Sequence, residues 1–111
     1  MITTHVLDTA QGRPAQAVPV KLELRGADGA WVTVGEGVTD ADGRLRTLTP
    51  SGPVTPGTYR IGFDTAAYFA ALGIDGFFPA VEIQFLVRDG AQHHHVPLLL
   101  SPFGYSTYRG S

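Results

Sequence analysis

The sequence has 111 residues and contains no cysteine. Disulfide bridges, zinc–thiolate centres and thiol nucleophiles are therefore excluded, and any metal would have to be held by histidine and carboxylate. Charge is also scarce: Asp, Glu, Lys and Arg make up 16% of the chain, against roughly 25% in an ordinary soluble domain. A surface partly covered by another subunit would show such a shortage. The net charge of −2 leaves no basic excess for nucleic acid or an anionic membrane. No stretch approaches the ~18 consecutive apolar residues of a transmembrane helix. Met1-Ile2-Thr3-Thr4-His5 lacks the basic and apolar regions of a secretory signal, and Arg109-Gly110-Ser111 is no Ser-Lys-Leu type address. A cytoplasmic protein is expected. Gly-x-Ser-x-Gly and glycine-rich phosphate motifs are missing as well, so serine-hydrolase and nucleotide-binding readings lack their residues.

What is present is frequent punctuation. Fourteen glycines and eight prolines cut the chain into short segments that suit an antiparallel sandwich or barrel. Thr3–Leu7 is a first strand candidate, followed by a loop at Gln11–Pro14. Val18, Val20, Leu22 and Leu24 alternate with polar residues, and Asp28-Gly29 makes a hairpin turn. Trp31–Thr39 returns as a strand with Val32, Val34 and Val38 on one side. The turn Asp40-Ala41-Asp42-Gly43 leads into a strand over Arg44–Leu48. After a Pro/Gly loop, Tyr59, Ile61 and Phe63 alternate again. Thr65–Leu72, stopped by Gly73, is the one plausible helix, and at two turns it must pack on a sheet to persist. Val81–Val87 is a further alternating strand. The expectation is a single all-β domain over 1–111, with seven or eight strands, one short helix and no internal repeat.

The last nineteen residues break the pattern. They hold three of the four histidines, His93, His94 and His95, then Val96-Pro97-Leu98-Leu99-Leu100, which is apolar on both faces. A sandwich strand needs only one apolar face, so Pro97 and Leu99 are expected to be covered by a neighbouring chain. Ser101-Pro102-Phe103-Gly104 has the composition of a type I turn, which folds the chain back as a hairpin carrying Tyr105 and Tyr108.

Side-chain period two puts His93 and His95 on one face and His94 on the other. With His5 as a third ligand the pair has the spacing of a three-histidine zinc site; acid–base work also fits the pattern, and the plain reading of three consecutive histidines at a strand entrance is a solvated or capping role. Arg44, following an Asp-Gly turn, is either a solvated edge residue or an anion clamp whose fork of donors is held in place.

The motifs themselves resemble a family. Tyr108-Arg109-Gly110-Ser111, preceded by the run from His95 to Tyr105, is similar to the terminal block of the 5-hydroxyisourate hydrolases, the transthyretin-related proteins of purine breakdown. Thr4-His5-Val6-Leu7-Asp8 with Gly12-Arg13-Pro14-Ala15 resembles their first block, and Thr39-Asp40-Ala41-Asp42-Gly43-Arg44 their central turn. Gly57-Thr58-Tyr59, Tyr68-Phe69 and Phe77-Phe78-Pro79 extend the likeness across the chain. His94 departs from it, standing where other members commonly have tyrosine, and extra residues sit around Asp28-Gly29. The resemblance implies a transthyretin-like, two-sheet sandwich of about eight strands with one short helix. It also implies a homotetramer with active sites in a channel at the dimer–dimer interface, and a small-molecule substrate, 5-hydroxyisourate, without cofactor or metal. By motif, the catalytic set is His5, Arg44, His95 and Tyr108, with Ser111 joining them in binding substrate. Two alternatives remain open at this point: a transthyretin-like carrier that performs no chemistry, and a zinc hydrolase using His5, His93 and His95.

Overall fold

Alternation of apolar and polar residues sets most of the strands. The computed structural model describes all 111 residues. In chain order they form β1 (Ile2–Asp8), β2 (Arg13–Pro14), β3 (Pro19–Arg25), β4 (Trp31–Val38), β5 (Arg44–Leu45), β6 (Gly57–Phe63), α1 (Thr65–Ala71), β7 (Val81–Val87), β8 (His94–Ser101) and β9 (Gly104–Thr107). Two sheets result. One has the order β2-β1-β8-β9, with β5 also paired to β1; the other has the order β4-β3-β6-β7. The all-β sandwich with one short helix is thus the observed architecture. Two two-residue strands, β2 and β5, bring the number to nine. Arg44–Leu48 is a strand only as far as Leu45, and the supposed loop at Gln11–Pro14 contributes β2.

The pairing is antiparallel except between β1 and β8, which run parallel from Ile2↔His94 to Asp8↔Leu100. This departs from the antiparallel expectation. The chain leaves β1, builds the other sheet and re-enters beside β1 in the same direction, a long crossover of the kind parallel pairs need. Ile2, Val6, Val96, Leu98 and Leu100 from this sheet face Val20, Leu22, Tyr59, Ile61 and Phe63 from the other in a single core cluster of 18 residues. No helix is long and apolar enough to cross a membrane.

The valines of β4 do not share a side. Leu22 pairs with Gly35 and Glu23 with Thr33, so Val34 is the extra residue of a β-bulge. Directly opposed residues lie on the same face. Val32 therefore lies on the face of Leu24, while Val38 opposes Pro19 on the other. All three valines are exposed, and the core-side positions are taken by Gly35 and Gly37. A Cβ on Gly35 would run into the Leu48 carbonyl, so glycine lets the buried Leu48 segment lie against this strand. Strand β8 is corrected too: Pro97 is already buried within its own chain and Leu99 is half-buried, so neither needs a neighbouring chain to the extent expected.

Helix α1 starts at Asp64, whose carboxylate accepts from the Ala67 amide at 3.0 Å. It packs Tyr68 and Phe69 inward. The Tyr68 hydroxyl donates to the buried Asp8 carboxylate at 2.6 Å, which also accepts from the Ala10 amide and from both the amide and side chain of Gln11. Burial, reinforced by the bond to Asp8, pushes the Tyr68 phenol well above its usual range and keeps it a donor. The network ties the helix to the end of β1. Tyr68→Phe should lower the unfolding free energy by about 1.5–3 kcal/mol, the usual worth of a hydrogen bond to a charged group, measured by urea denaturation. An unchanged midpoint would show that Asp8 does not depend on the phenol.

Candidate active site

The Asp40–Gly43 turn positions the first part of the site. One Asp40 carboxylate oxygen accepts from the Asp42 amide at 2.9 Å and the Arg44 amide at 3.0 Å. The Arg44 amide, more than any other contact, holds this carboxyl below its usual range. Gly43 takes φ +74°, where a Cβ would also collide with the Val6 carbonyl. The turn can then lie against β1, and Arg44 pairs directly with His5. The His5 ring is fixed from the same turn, with Nε2 2.9 Å from the Asp42 carbonyl oxygen. A carbonyl only accepts, so Nε2 carries a hydrogen, and in the neutral ring Nδ1 keeps the lone pair.

The parallel register supplies the second part. Thr3 pairs with His95 and His5 with Pro97, placing Thr3, His5 and His95 on the outward face of the sheet. The Thr3 hydroxyl lies 2.8 Å from His95 Nδ1 and 2.7 Å from His93 Nε2. The segment after β9 closes the site by a bridge between Gly110 and His95, whose carbonyl accepts from the Gly110 amide at 2.8 Å. A Cβ on Gly110 would stand 2.5 Å from the His95 ring. This accounts for glycine between Arg109 and Ser111: the backbone itself is packed over the imidazole.

The structure gathers all five expected residues, His5, Arg44, His95, Tyr108 and Ser111, around one pocket of about 380 Å³. Thr3, Arg46 and His93 line it as well, and no aspartate or glutamate does. Burial first, then the positive charge of Arg44 and the neighbouring His5 and His93, lower the His95 pKa below its ordinary 6.5. His95 is therefore neutral at pH 7 and able to accept a proton. His94 turns the other way. It is buried, and its Nδ1 donates to the Gln92 carbonyl at 3.0 Å.

No group of three histidine or carboxylate side chains is arranged to hold a metal ion. His93 and His95 each engage one ring nitrogen with Thr3, and His5 engages one with the Asp42 carbonyl. A larger depression of about 700 Å³ lies on the outer face of the other sheet. Its Arg60 is spent on Glu23 at 2.8 Å, on Glu82 at 3.6 Å and on the Trp31 ring. Self-paired charges of that kind make a solvated face. Sequence singles out His93 only as a zinc ligand, and Thr3, Gly110 and the Asp42 carbonyl not at all. Thr3 beside Thr4 reads as ordinary strand composition, and only the register to β8 gives it meaning.

The sequence model described as "Transthyretin: HIUase/Transthyretin family" matches residues 2–110. The chain belongs to the HIUase/Transthyretin family. Among members of this family, 5-hydroxyisourate hydrolase of Salmonella dublin is 44% identical over 111 residues, covering 100% of this chain and 81% of that protein. The mouse 5-hydroxyisourate hydrolase is also 44% identical, covering 99% of this chain and 94% of its own. Solved HIUase/Transthyretin structures superpose closely. Sea bream transthyretin in complex with thyroxine has a TM-score of 0.92 at 36% identity, covering 98% of this chain and 93% of that one. Klebsiella pneumoniae 5-hydroxyisourate hydrolase has a TM-score of 0.87 at 37% identity, covering 99% and 97%. Fold likeness thus embraces both a thyroxine complex and a hydrolase, and the side chains of the pocket must separate them.

Removing a charge that opposes protonation should show at His95. Arg44→Gln is expected to move the His95 titration upward, toward 6.5, as followed by imidazole NMR. The sign for stability follows by linkage. Between the lowered folded value and 6.5 the unfolded chain binds a proton that the folded chain does not, so stability falls as pH drops through that window. Arg44→Gln should narrow this loss.

Proposed function

We propose that the protein hydrolyses 5-hydroxyisourate, opening its N1–C6 amide to give 2-oxo-4-hydroxy-4-carboxy-5-ureidoimidazoline in urate breakdown. The observation that carries this reading is the meeting of His5, Arg44 and His95 in one pocket, in a chain 44% identical along its whole length to proteins of that named activity. The ring must be attacked by water, its carbonyl must carry negative charge in passing, and the departing nitrogen must gain a proton. His95, neutral and with Nε2 not engaged by Thr3, takes the proton of water. His5 keeps its Nδ1 lone pair to orient that water. Arg44, fixed by the Asp40 turn, binds the planar anionic substrate and the developing oxyanion. Tyr108 and Ser111 shape the wall.

A carrier of hydrophobic ligands is favoured by an apolar lining. Here three histidines and two arginines line the cavity, which favours catalysis on an anion. We further propose a homotetramer with the pocket mouths at the dimer–dimer interface. Phe103 at 75% and Tyr108 at 57% exposure are large rings that a single chain leaves uncovered.

Following ultraviolet absorbance after urate oxidase generates the substrate tests the reaction directly. His95→Asn should lower kcat/KM by about 10²–10⁴-fold and Arg44→Ala by about 10²–10³-fold, with unchanged circular dichroism. Full activity in either variant would remove that residue from the mechanism. Activity should also survive exhaustive chelation, and light scattering should report four chains per particle.

A further inference from the structure

One group in the pocket has no part in the chemistry so far. His93 is exposed, yet it is joined to His95 through a single hydroxyl, Thr3 Oγ1, which lies 2.7 Å from one ring and 2.8 Å from the other. Thr3 itself is 4% exposed. Its hydroxyl has one hydrogen. If that hydrogen goes to His95 Nδ1, then His93 Nε2 must be the N–H that donates to Thr3. If it goes to His93 Nε2, then His95 Nδ1 must carry the N–H. The two rings cannot choose their tautomers independently.

We propose that Thr3 and His93 form a proton relay that converts His95 from general base to general acid within one turnover. In the resting arrangement Thr3 donates to His93, and His95 Nδ1–H donates to Thr3. His95 Nε2 then presents a lone pair to the pocket. When Nε2 takes the proton of the attacking water, the Nδ1 proton passes to Thr3 Oγ1 as the Thr3 hydroxyl proton passes to His93 Nε2. His95 is again neutral but now holds its hydrogen on Nε2, the form that can protonate the departing ring nitrogen. The positive charge resides on His93, at the solvent edge. Donation from His95 Nε2 to the leaving nitrogen runs the chain backward: His93 Nε2 returns its proton to Thr3, and Thr3 returns one to His95 Nδ1. No proton is gained or lost by the three residues over the cycle.

The surroundings suit this transfer. Arg44 and Arg46 from β5 and the segment after it, and His5 from β1, all lie around the pocket with Tyr108 from the segment after β9, without a carboxylate among the side chains. An imidazolium retained on half-buried His95 would be opposed first by burial and then by the Arg44 guanidinium, whereas exposed His93 can be hydrated. His95 is the group that meets substrate; Thr3 and His93 are positioning residues that act through it.

The assay half of the test rests on the proposed hydrolysis, and the spectroscopic half does not. Thr3→Val removes the hydroxyl and nearly keeps the shape, and it should lower kcat about 10²-fold with little change in KM. Thr3→Ser should restore most of that loss, and His93→Phe should match Thr3→Val without adding to it in the double variant. Full kcat in folded Thr3→Val, or additive losses, would overturn the relay. In the substrate-free protein, ¹⁵N ring shifts should show the His95 hydrogen moving from Nδ1 to Nε2 as His93 becomes protonated, and Thr3→Val should abolish that coupling. A His95 tautomer indifferent to His93 and to Thr3→Val would also overturn it, even if the wild type turns over 5-hydroxyisourate. A wild type that shows the coupling but no turnover would instead count against the substrate.

Discussion

The parallel pairing of β1 with β8 is the constraint on which the site depends. Residues about ninety positions apart in sequence are held in register from Ile2↔His94 to Asp8↔Leu100. One face of that ladder supplies Ile2, Val6, Val96, Leu98 and Leu100 to the core. The other face supplies Thr3, His5 and His95. A slip of one residue would exchange the two sets, putting imidazoles into the core and aliphatics into the pocket. Burial of the aliphatic face therefore fixes the geometry of the pocket: the free energy that selects the register comes from side chains that face away from it.

Arg44 is held differently. Strand β5 is only two residues long, too little ladder to place a long side chain by pairing alone. The turn before it contributes the missing precision through the Asp40 carboxylate, the left-handed Gly43 and the bond from His5 to the Asp42 carbonyl. The same few residues orient both a cation and an imidazole. The result is a pocket rich in fixed positive and hydrogen-bonding groups and without Asp or Glu side chains, which attracts anions and discourages any further proton on His95.

Much of the fold was legible because alternation is local. The segments around Leu22, Ile61 and Val81 each announced a buried and an exposed face, and the helix announced its stop at Gly73. The valines of β4 misled because a bulge changes the parity within a strand, and nothing in Val32-Thr33-Val34-Gly35 marks which residue is extra. The outer face of β8 was over-read because Pro97 is buried by its own chain. Motif resemblance pointed to the five residues that line one pocket, and pattern alone reached only a histidine cluster. Thr3, Gly110 and the Asp42 carbonyl act through position rather than through a conspicuous side chain, so they became visible only with the register and the turn in place.

The bulge at Val34 bears on how the molecule avoids its own kind. Strand β4 is the open margin of its sheet and carries three exposed valines, a combination that invites another chain to add on and start an aggregate. With Val34 unpaired, an incoming strand that matched β4 on one side of that residue would fall out of step on the other. The irregularity that defeats pattern reading thus shortens the longest ladder that a misplaced strand could form there.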